Sequence, residues 1–223
     1  MRAVFFDAVG TLLFPDPSAP VVYAAIARQH GLNLCADEVR ARFVTAYRRE
    51  EAADVATAWA TSEPRERARW HAIVTETLLG VTDPDSCFRH LFDHFARPTA
   101  WKLAPDAAEV VAALHARGLT LGLGSNYDER LWSLLAGFPE LDPLKDRVLI
   151  SAAVGVRKPG AGFFHAVARA AQCDPSEVLF VGDDADNDYT GASAARMPAL
   201  LLDPDDRFTE VPHRIATLGD LVR

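Results

Sequence analysis

Cysteine, lysine and long apolar segments are all scarce in this chain of 223 residues. Its three cysteines are odd in number and lack metal-ligand spacing, so we expect free thiols and a reducing, cytoplasmic compartment. No apolar run reaches the roughly 18 residues that a membrane span needs, so no membrane partner is predicted. The formal net charge of −8 leaves no basic surplus for a phosphate backbone, which argues against a nucleic-acid partner.

Short apolar runs and helical patterns dominate what is present. From the second run onward they alternate, which predicts an α/β fold with a Rossmann-like parallel sheet. Helices are predicted between Pro105 and Gly118 and over residues 161–171. The size allows one core with a small inserted domain, in a monomer or homodimer. The strands are predicted at residues 3–6, 119–123, 148–150, 178–181 and 199–202.

Residues 15–98 interrupt this alternation with four helical patterns and no clear strand. We therefore predict a core domain of residues 1–14 and 99–223 and an inserted helical domain of residues 15–98. Prolines mark both ends of the insertion, as expected of a hinged lid. Trp70 lies in register with the apolar positions around it and is predicted in the core of the insertion.

An aspartate directly follows the first predicted strand. Because ligands of open α/β sheets bind at the carboxyl ends of the strands, Asp7 is placed to act as a nucleophile. Gly10 and Thr11 add exposed N–H groups and a hydroxyl that can hold a phosphate. At the end of the second strand, Ser125 and Asn126 offer further donors to an oxyanion.

A lysine and an acidic cluster complete the candidate site. The chain has only three lysines, and one of them, Lys158, precedes a predicted helix, where it can neutralise a nucleophile and a phosphoryl group. Four aspartates follow the strand at 178–181, and such a cluster favours Mg²⁺, with a solvated acidic turn as the alternative. They are Asp183, Asp184, Asp186 and Asp188.

In the order of its candidate site residues, the chain resembles the haloacid dehalogenase superfamily, whose four motifs correspond to Asp7, Ser125-Asn126, Lys158 and Gly182-Asp183. The insertion resembles the type-one helical cap of the same superfamily. This resemblance implies a sheet order of 5-4-1-2-3 and Asp7 as the nucleophile. It implies phosphate binding by Gly10, Thr11, Ser125, Asn126 and Lys158. It implies Mg²⁺ binding by Asp7, the Val9 main-chain oxygen and Asp183, with Asp184 and Asp188 orienting metal-bound water.

Position 9 departs from the family pattern. Phosphatases of the family place a second Asp there, which protonates the leaving group and then activates water. Because Val9 transfers no proton, about 10²–10⁴ in rate is lost unless the leaving group is good or Asp16, at the start of the insertion, replaces the acid. Tyr127 and Asp128 are candidates for contacting the substrate, since they follow Ser125 and Asn126.

The predicted function is therefore a magnesium-dependent hydrolase that acts on a small phosphorylated metabolite through a phospho-aspartyl intermediate. The chain would belong to the subgroup that lacks the second Asp. A pseudo-phosphatase that only binds a phospho-ligand or partner is the alternative. A 2-haloacid dehalogenase has lower weight, because dehalogenases lack the acidic residue found at Asp183. The lysine-dependent phosphonate branch is excluded, because no lysine precedes Lys102.

Overall fold

A computed structural model describes residues 1–223, in which eight strands form two sheets. The predicted strands are all present, with bounds that differ by at most two residues. The strands are β1 (Ala3–Phe6), β2 (Leu13–Pro15), β3 (Trp101–Leu103), β4 (Thr120–Ser125), β5 (Val148–Ile150), β6 (Val178–Gly182), β7 (Ala199–Leu202) and β8 (Arg214–Ile215).

Nine α-helices accompany the strands, and none combines the length and apolar character needed to cross a bilayer. The helices are α1 (Ala19–Gln29), α2 (Ala36–Ala56), α3 (Glu63–Thr77), α4 (Pro84–His94), α5 (Ala107–Ala116), α6 (Arg130–Ala136), α7 (Ser151–Val154), α8 (Ala161–Ala171) and α9 (Gly191–Ala194). Short 3₁₀ segments lie at Pro98–Ala100, Pro139–Arg147, Pro175–Glu177 and Leu218–Leu221, and a π-helical turn lies at Ala185–Thr190.

The larger sheet is entirely parallel, with the order β5-β4-β1-β6-β7-β8. When the five predicted strands are numbered along the chain, their order from β7 to β5 is 5-4-1-2-3, as expected. The structure differs in one detail, because β8 adds a sixth strand beside β7. This two-residue strand is too short to produce a periodic signal in the sequence.

Helices cover both faces of this sheet, so β1 is apolar on both sides. Val4 and Phe6 belong to a cluster of 25 buried residues that includes α5 and α6, whereas Ala3 and Phe5 pack against α8. The Phe5 ring occupies the space that a side chain at Gly122 would need. Packing on both faces fixes the strands, and therefore their carboxyl ends, in a rigid frame.

Helices α1 to α4 correspond to the four helical patterns of the predicted insertion. They share a separate cluster of 12 buried residues. Ser62 and Asp83 cap α3 and α4, since each side chain accepts a hydrogen bond from a main-chain N–H of the first turn. The chain enters this segment along β2 and leaves it along β3, and these two strands pair antiparallel.

Candidate active site

Three of the predicted site residues meet at the carboxyl ends of adjacent strands. Asp7 follows β1, Ser125 ends β4 and Asp183 follows β6. Because β1 lies between β4 and β6 and is parallel to both, the three ends face the same edge of the sheet. A main-chain hydrogen bond of 2.8 Å from Asp7 to Val181 fixes the nucleophile candidate in place.

Lys158 joins this edge as a buried cation. Its Nζ lies 2.6 Å from Oδ1 of Asp7 and 2.6 Å from Oδ1 of Asp188, and it donates to the Gly124 carbonyl at 3.0 Å. Burial by itself would lower the pKa of Lys158, but the two carboxylates outweigh burial and raise the pKa above its usual value. The lysine therefore remains charged and orients the Asp7 carboxylate.

Asn126 positions the main chain that carries this lysine. Its Oδ1 accepts the Lys158 N–H at 2.7 Å, and its Nδ2 donates to the Lys158 carbonyl at 2.9 Å. The amide predicted to contact phosphate is thus engaged with the lysine loop. Ser125 is buried and lines the neighbouring cavity, where its hydroxyl can reach an anion.

Three carboxylates form a compact group at the same edge. One oxygen from each of Asp7, Asp183 and Asp188 lies within 4.8 Å of the other two. The Thr11 hydroxyl donates to Asp183 at 3.1 Å, so it supports the acidic group directly. Asp188 thus joins the metal-ligand candidates, although the sequence predicted it only as an outer residue.

The acidic group lacks enough positive charge for all three carboxylates. Lys158 contacts Asp7 and Asp188, whereas Asp183 receives only the neutral Thr11 hydroxyl. Burial, reinforced by the charges of Asp7 and Asp188, raises the pKa of Asp183 to about 8. Burial also raises the pKa of Asp188 against the opposing effect of Lys158. An additional cation would relieve this repulsion.

Two glycines allow the carboxylates to come this close. Gly10 has a φ of 96°, and a Cβ there would overlap the Asp183 carboxylate. A Cβ at Gly182 would likewise overlap Asp188. Because the space beside each carboxylate exists only without a side chain, the local backbone is built around the acidic group. Hard oxygen ligands in such a group suit Mg²⁺.

Asp184 has a different local role. Its Oδ1 accepts hydrogen bonds from the main chains of Asp186 and Asn187, both at 2.9 Å, and its Oδ2 accepts from Asn187 Nδ2 at 2.8 Å. Asp184 thereby caps the π-helical turn, and its own N–H donates to Asp188 at 3.1 Å. The hydrogen bond from the Asp184 N–H therefore helps to hold the Asp188 carboxylate in position.

A cavity of about 430 Å³ opens onto the acidic group. Val9 and Tyr127 line it, as do aromatic side chains of α1 to α4. Asp128 is buried in an ion pair with Arg130 and does not line the cavity. Asp16 is exposed and lies 3.7 Å from Lys102, also outside the cavity lining, so this arrangement gives it no access as a substitute acid.

Most of the cavity wall consists of residues that the sequence did not single out. Phe43 and Tyr47 are four residues apart on α2, and Tyr23 lies among the apolar positions of α1, so all three look like core residues of the insertion. Trp70 contacts the apolar cluster of the insertion, as predicted, but it also lines the cavity. Arg157 lines it as well, and its position next to Lys158 is the one signal that could have identified it.

Comparisons with known proteins identify the family of this chain. A family model described as a haloacid dehalogenase-like hydrolase matches residues 1–196. The haloacid dehalogenase-like hydrolase domain-containing protein 3 of Xenopus laevis is 30% identical over 211 residues, which cover 92% of this chain and 85% of that protein. The ribulose-1,5-bisphosphate 5-phosphatase of Halopiger xanaduensis is 28% identical over 236 residues, which cover 98% and 97% of the two chains.

The fold has solved counterparts. The structure of L-2-haloacid dehalogenase from Xanthobacter autotrophicus superimposes with a TM-score of 0.75, covering 100% of this chain and 97% of the other. The two sequences are 19% identical, so this similarity concerns the fold.

Proposed function

The chain belongs to the haloacid dehalogenase-like hydrolases, and we propose that it is a magnesium-dependent phosphohydrolase with Asp7 as its nucleophile. The observation that carries this proposal is the 2.6 Å contact between Asp7 Oδ1 and Lys158 Nζ, beside two further carboxylates and at the base of a cavity. An oriented carboxylate next to a buried cation is suited to attack on phosphorus.

In the proposed reaction, an Asp7 oxygen attacks the phosphorus atom of a phosphate monoester. A bond forms between the Asp7 oxygen and phosphorus. The bond between phosphorus and the ester oxygen breaks, and its electron pair stays on the leaving oxygen, which takes a proton from water. Lys158 offsets negative charge on the phosphoryl oxygens, while Ser125 donates a hydrogen bond to them. Water then attacks the phospho-aspartate, releases phosphate and regenerates Asp7.

The acidic group fits a divalent cation, and we assign it to Mg²⁺. Asp7, Asp183 and the Val9 main-chain oxygen would hold the ion, with Asp188 close enough to contribute. The ion would supply positive charge to the transferring phosphoryl group. The raised pKa of Asp183 and the side-chain-free space at Gly10 support this assignment.

We further propose that residues 15–98 act as a cap over a core of residues 1–14 and 99–223. The separate apolar cluster of α1 to α4 supports this division. The paired strands β2 and β3 also support it, because they bring the two ends of the segment together. Since the cap contributes most of the apolar cavity wall, it would determine which substrates are accepted.

A pseudo-phosphatase is the second candidate, because Val9 stands where the general acid is expected and Asp16 lies outside the cavity lining. Such a protein would bind a phosphorylated ligand and release it unchanged. Dehalogenation is a weaker third candidate. It needs no cation, so the group formed by Asp7, Asp183 and Asp188 would have no role in it.

The test is a Mg²⁺-dependent assay with acetyl phosphate, aryl phosphates and sugar phosphates. We expect Asp7→Asn to abolish hydrolysis and EDTA to suppress it in the wild type. Asp85→Asn is the matched control, since Asp85 is exposed and pairs with His71 away from the site. Phosphate binding without turnover would favour the pseudo-phosphatase, and release of halide from a 2-haloacid in EDTA would favour the dehalogenase.

A further inference from the structure

The cavity wall also indicates what the phosphate is attached to. We propose that the substrates are aryl phosphate monoesters, whose flat aromatic group occupies the apolar part of the cavity and carries no second anionic group. This inference rests on the proposed hydrolytic function and specifies its substrate class.

Aromatic rings from several helices form a continuous wall. Phe43 stacks with Tyr47 at 5.8 Å and with Trp70 at 6.4 Å between ring centroids. Tyr23 meets the edge of Phe43 at 5.8 Å and lies 6.0 Å from Phe95. All five side chains line the cavity. Such a wall favours a flat apolar ligand, because aromatic rings gain from stacking beyond simple burial of surface.

The arginines in the lining are already neutralised. Arg130 donates to both oxygens of Asp128 at 2.7 Å, and its guanidinium lies 3.5 Å from the centroid of the Phe92 ring. Arg157 pairs with Glu66 and lies 3.5 Å from Asp54. A second phosphate or carboxylate on the substrate would therefore lose its hydration without gaining an unpaired cation.

The apolar wall is also unfavourable for the hydroxyl groups of a sugar. The wall is mainly apolar, and burial raises the pKa values of Tyr23 and Tyr127 above the usual range of a phenol. These shifts reflect the low polarity of the wall. Because a buried hydroxyl needs hydrogen-bond partners, polyhydroxylated substrates would be desolvated at a cost that the apolar wall does not offset.

The chemistry at position 9 points to the same substrates independently. Breaking the ester bond leaves the electron pair on the substrate oxygen, which must then be protonated or remain stable as an anion. Val9 provides no proton. A phenolate is a far better leaving group than an alkoxide and can take its proton later from water. The apolar wall and the missing acid thus favour the same class of ester.

The experiment compares 2-naphthyl phosphate, phenyl phosphate and acetyl phosphate with the Mg²⁺-loaded protein. The two aryl esters have similar leaving groups, so their difference reports on contact with the wall. We expect kcat/KM to be roughly five- to tenfold higher for the naphthyl ester, mainly through a lower KM, because the second ring buries more apolar surface. Phe43→Ala should remove this preference, because it takes away a ring that the naphthyl group would contact.

Trp132→Ala is the matched control, because Trp132 is 50% exposed and does not line the cavity. Circular dichroism checks the fold of each variant, and Phe43→Leu replaces Phe43→Ala if the latter fails to fold. Asp7-dependent hydrolysis without any preference for the naphthyl ester would overturn the aryl proposal but not the hydrolase.

If no ester is hydrolysed, the proposed function fails, and calorimetry with non-hydrolysable phosphonates decides the ligand class. Tighter binding of 2-naphthylphosphonate than of methylphosphonate would support an aromatic ligand. Equal binding of the two phosphonates would overturn the proposal of an aromatic ligand.

Discussion

Val9 is the residue at which the proposed active site departs from the family pattern. It lines the cavity two positions after Asp7, where its side chain can exclude water but cannot donate a proton. The other residues of the proposed phosphate site lie together around it, including Lys158 and the acidic group. What the proposed site lacks is therefore a side chain at position 9 that can transfer protons.

Restoring a carboxyl group at position 9 should accelerate hydrolysis of substrates with poor leaving groups. For Val9→Asp we expect an increase of about 10²-fold in kcat for alkyl phosphates and little change for aryl phosphates, because general acid catalysis helps poor leaving groups most. The measurement is the dependence of kcat on the pKa of the leaving group, which should become shallower. Val9→Asn is the control of equal size, and an equal gain in both variants would contradict proton transfer.

At the same scale, the sequence identifies residues whose role depends on their place after a strand. Asp7 and Asp183 follow buried apolar runs, so their positions at one sheet edge can be predicted from the sequence alone. Arg157 cannot be identified this way. Its partners Asp54 and Glu66 are far away in the chain, and only the docked helical segment brings them together.

At the scale of elements, a buried ionic cluster attaches the helical segment to the sheet domain. Arg157, just before the lysine loop, pairs with Glu66 of α3 and lies 3.5 Å from Asp54 of α2. Main-chain hydrogen bonds reinforce this contact, from Arg157 to Trp59 at 2.9 Å and from Thr61 to Gly155 at 3.0 Å. The same segment therefore carries both Lys158 and the main contact to α2 and α3.

Removing the arginine should destabilise this contact strongly. We expect Arg157→Met to lower the free energy of unfolding by about 3–5 kcal/mol, because it takes a buried cation away from two buried carboxylates. Urea unfolding measures the loss, and hydrogen exchange should show increased opening at residues 57–62. The matched control is Arg49→Met, whose exposed pair with Glu76 should contribute less than about 1 kcal/mol. Equal losses in the two variants would contradict a buried cluster.

At the scale of the whole molecule, periodicity predicts the α/β class, and the family resemblance supplies the strand order. Residues 3–6 and 178–181 are recognisable because each is a continuous apolar run between turn signals. Strands β2, β3 and β8 are two or three residues long, so they carry no period of their own. How the helical segment lies on the sheet depends on contacts between distant residues, which local patterns do not encode.

The acidity of the whole chain makes specific Mg²⁺ binding a necessary test, since a net charge of −8 also attracts cations without a site. Because the pKa of Asp183 is raised to about 8, its carboxyl group stays protonated in the native protein between about pH 4 and pH 8. In the same range the unfolded chain has already released this proton. Without metal, the Asp183 contribution to stability should therefore fall as pH rises from about 4 to about 8. Mg²⁺ binds the ionised carboxylates, so it should stabilise the protein more at high pH than at low pH.

We expect Mg²⁺ at about 100 times its Kd to raise the melting temperature by roughly 5–10 °C above pH 8. Below about pH 6 the shift should be much smaller, because protons compete with the ion for Asp183. Differential scanning fluorimetry across this pH range measures both effects, and Asp183→Asn should remove the Mg²⁺ shift at every pH. A shift that is independent of pH and survives in Asp183→Asn would place the ion on the general acidic surface, because diffuse attraction does not depend on one buried carboxylate.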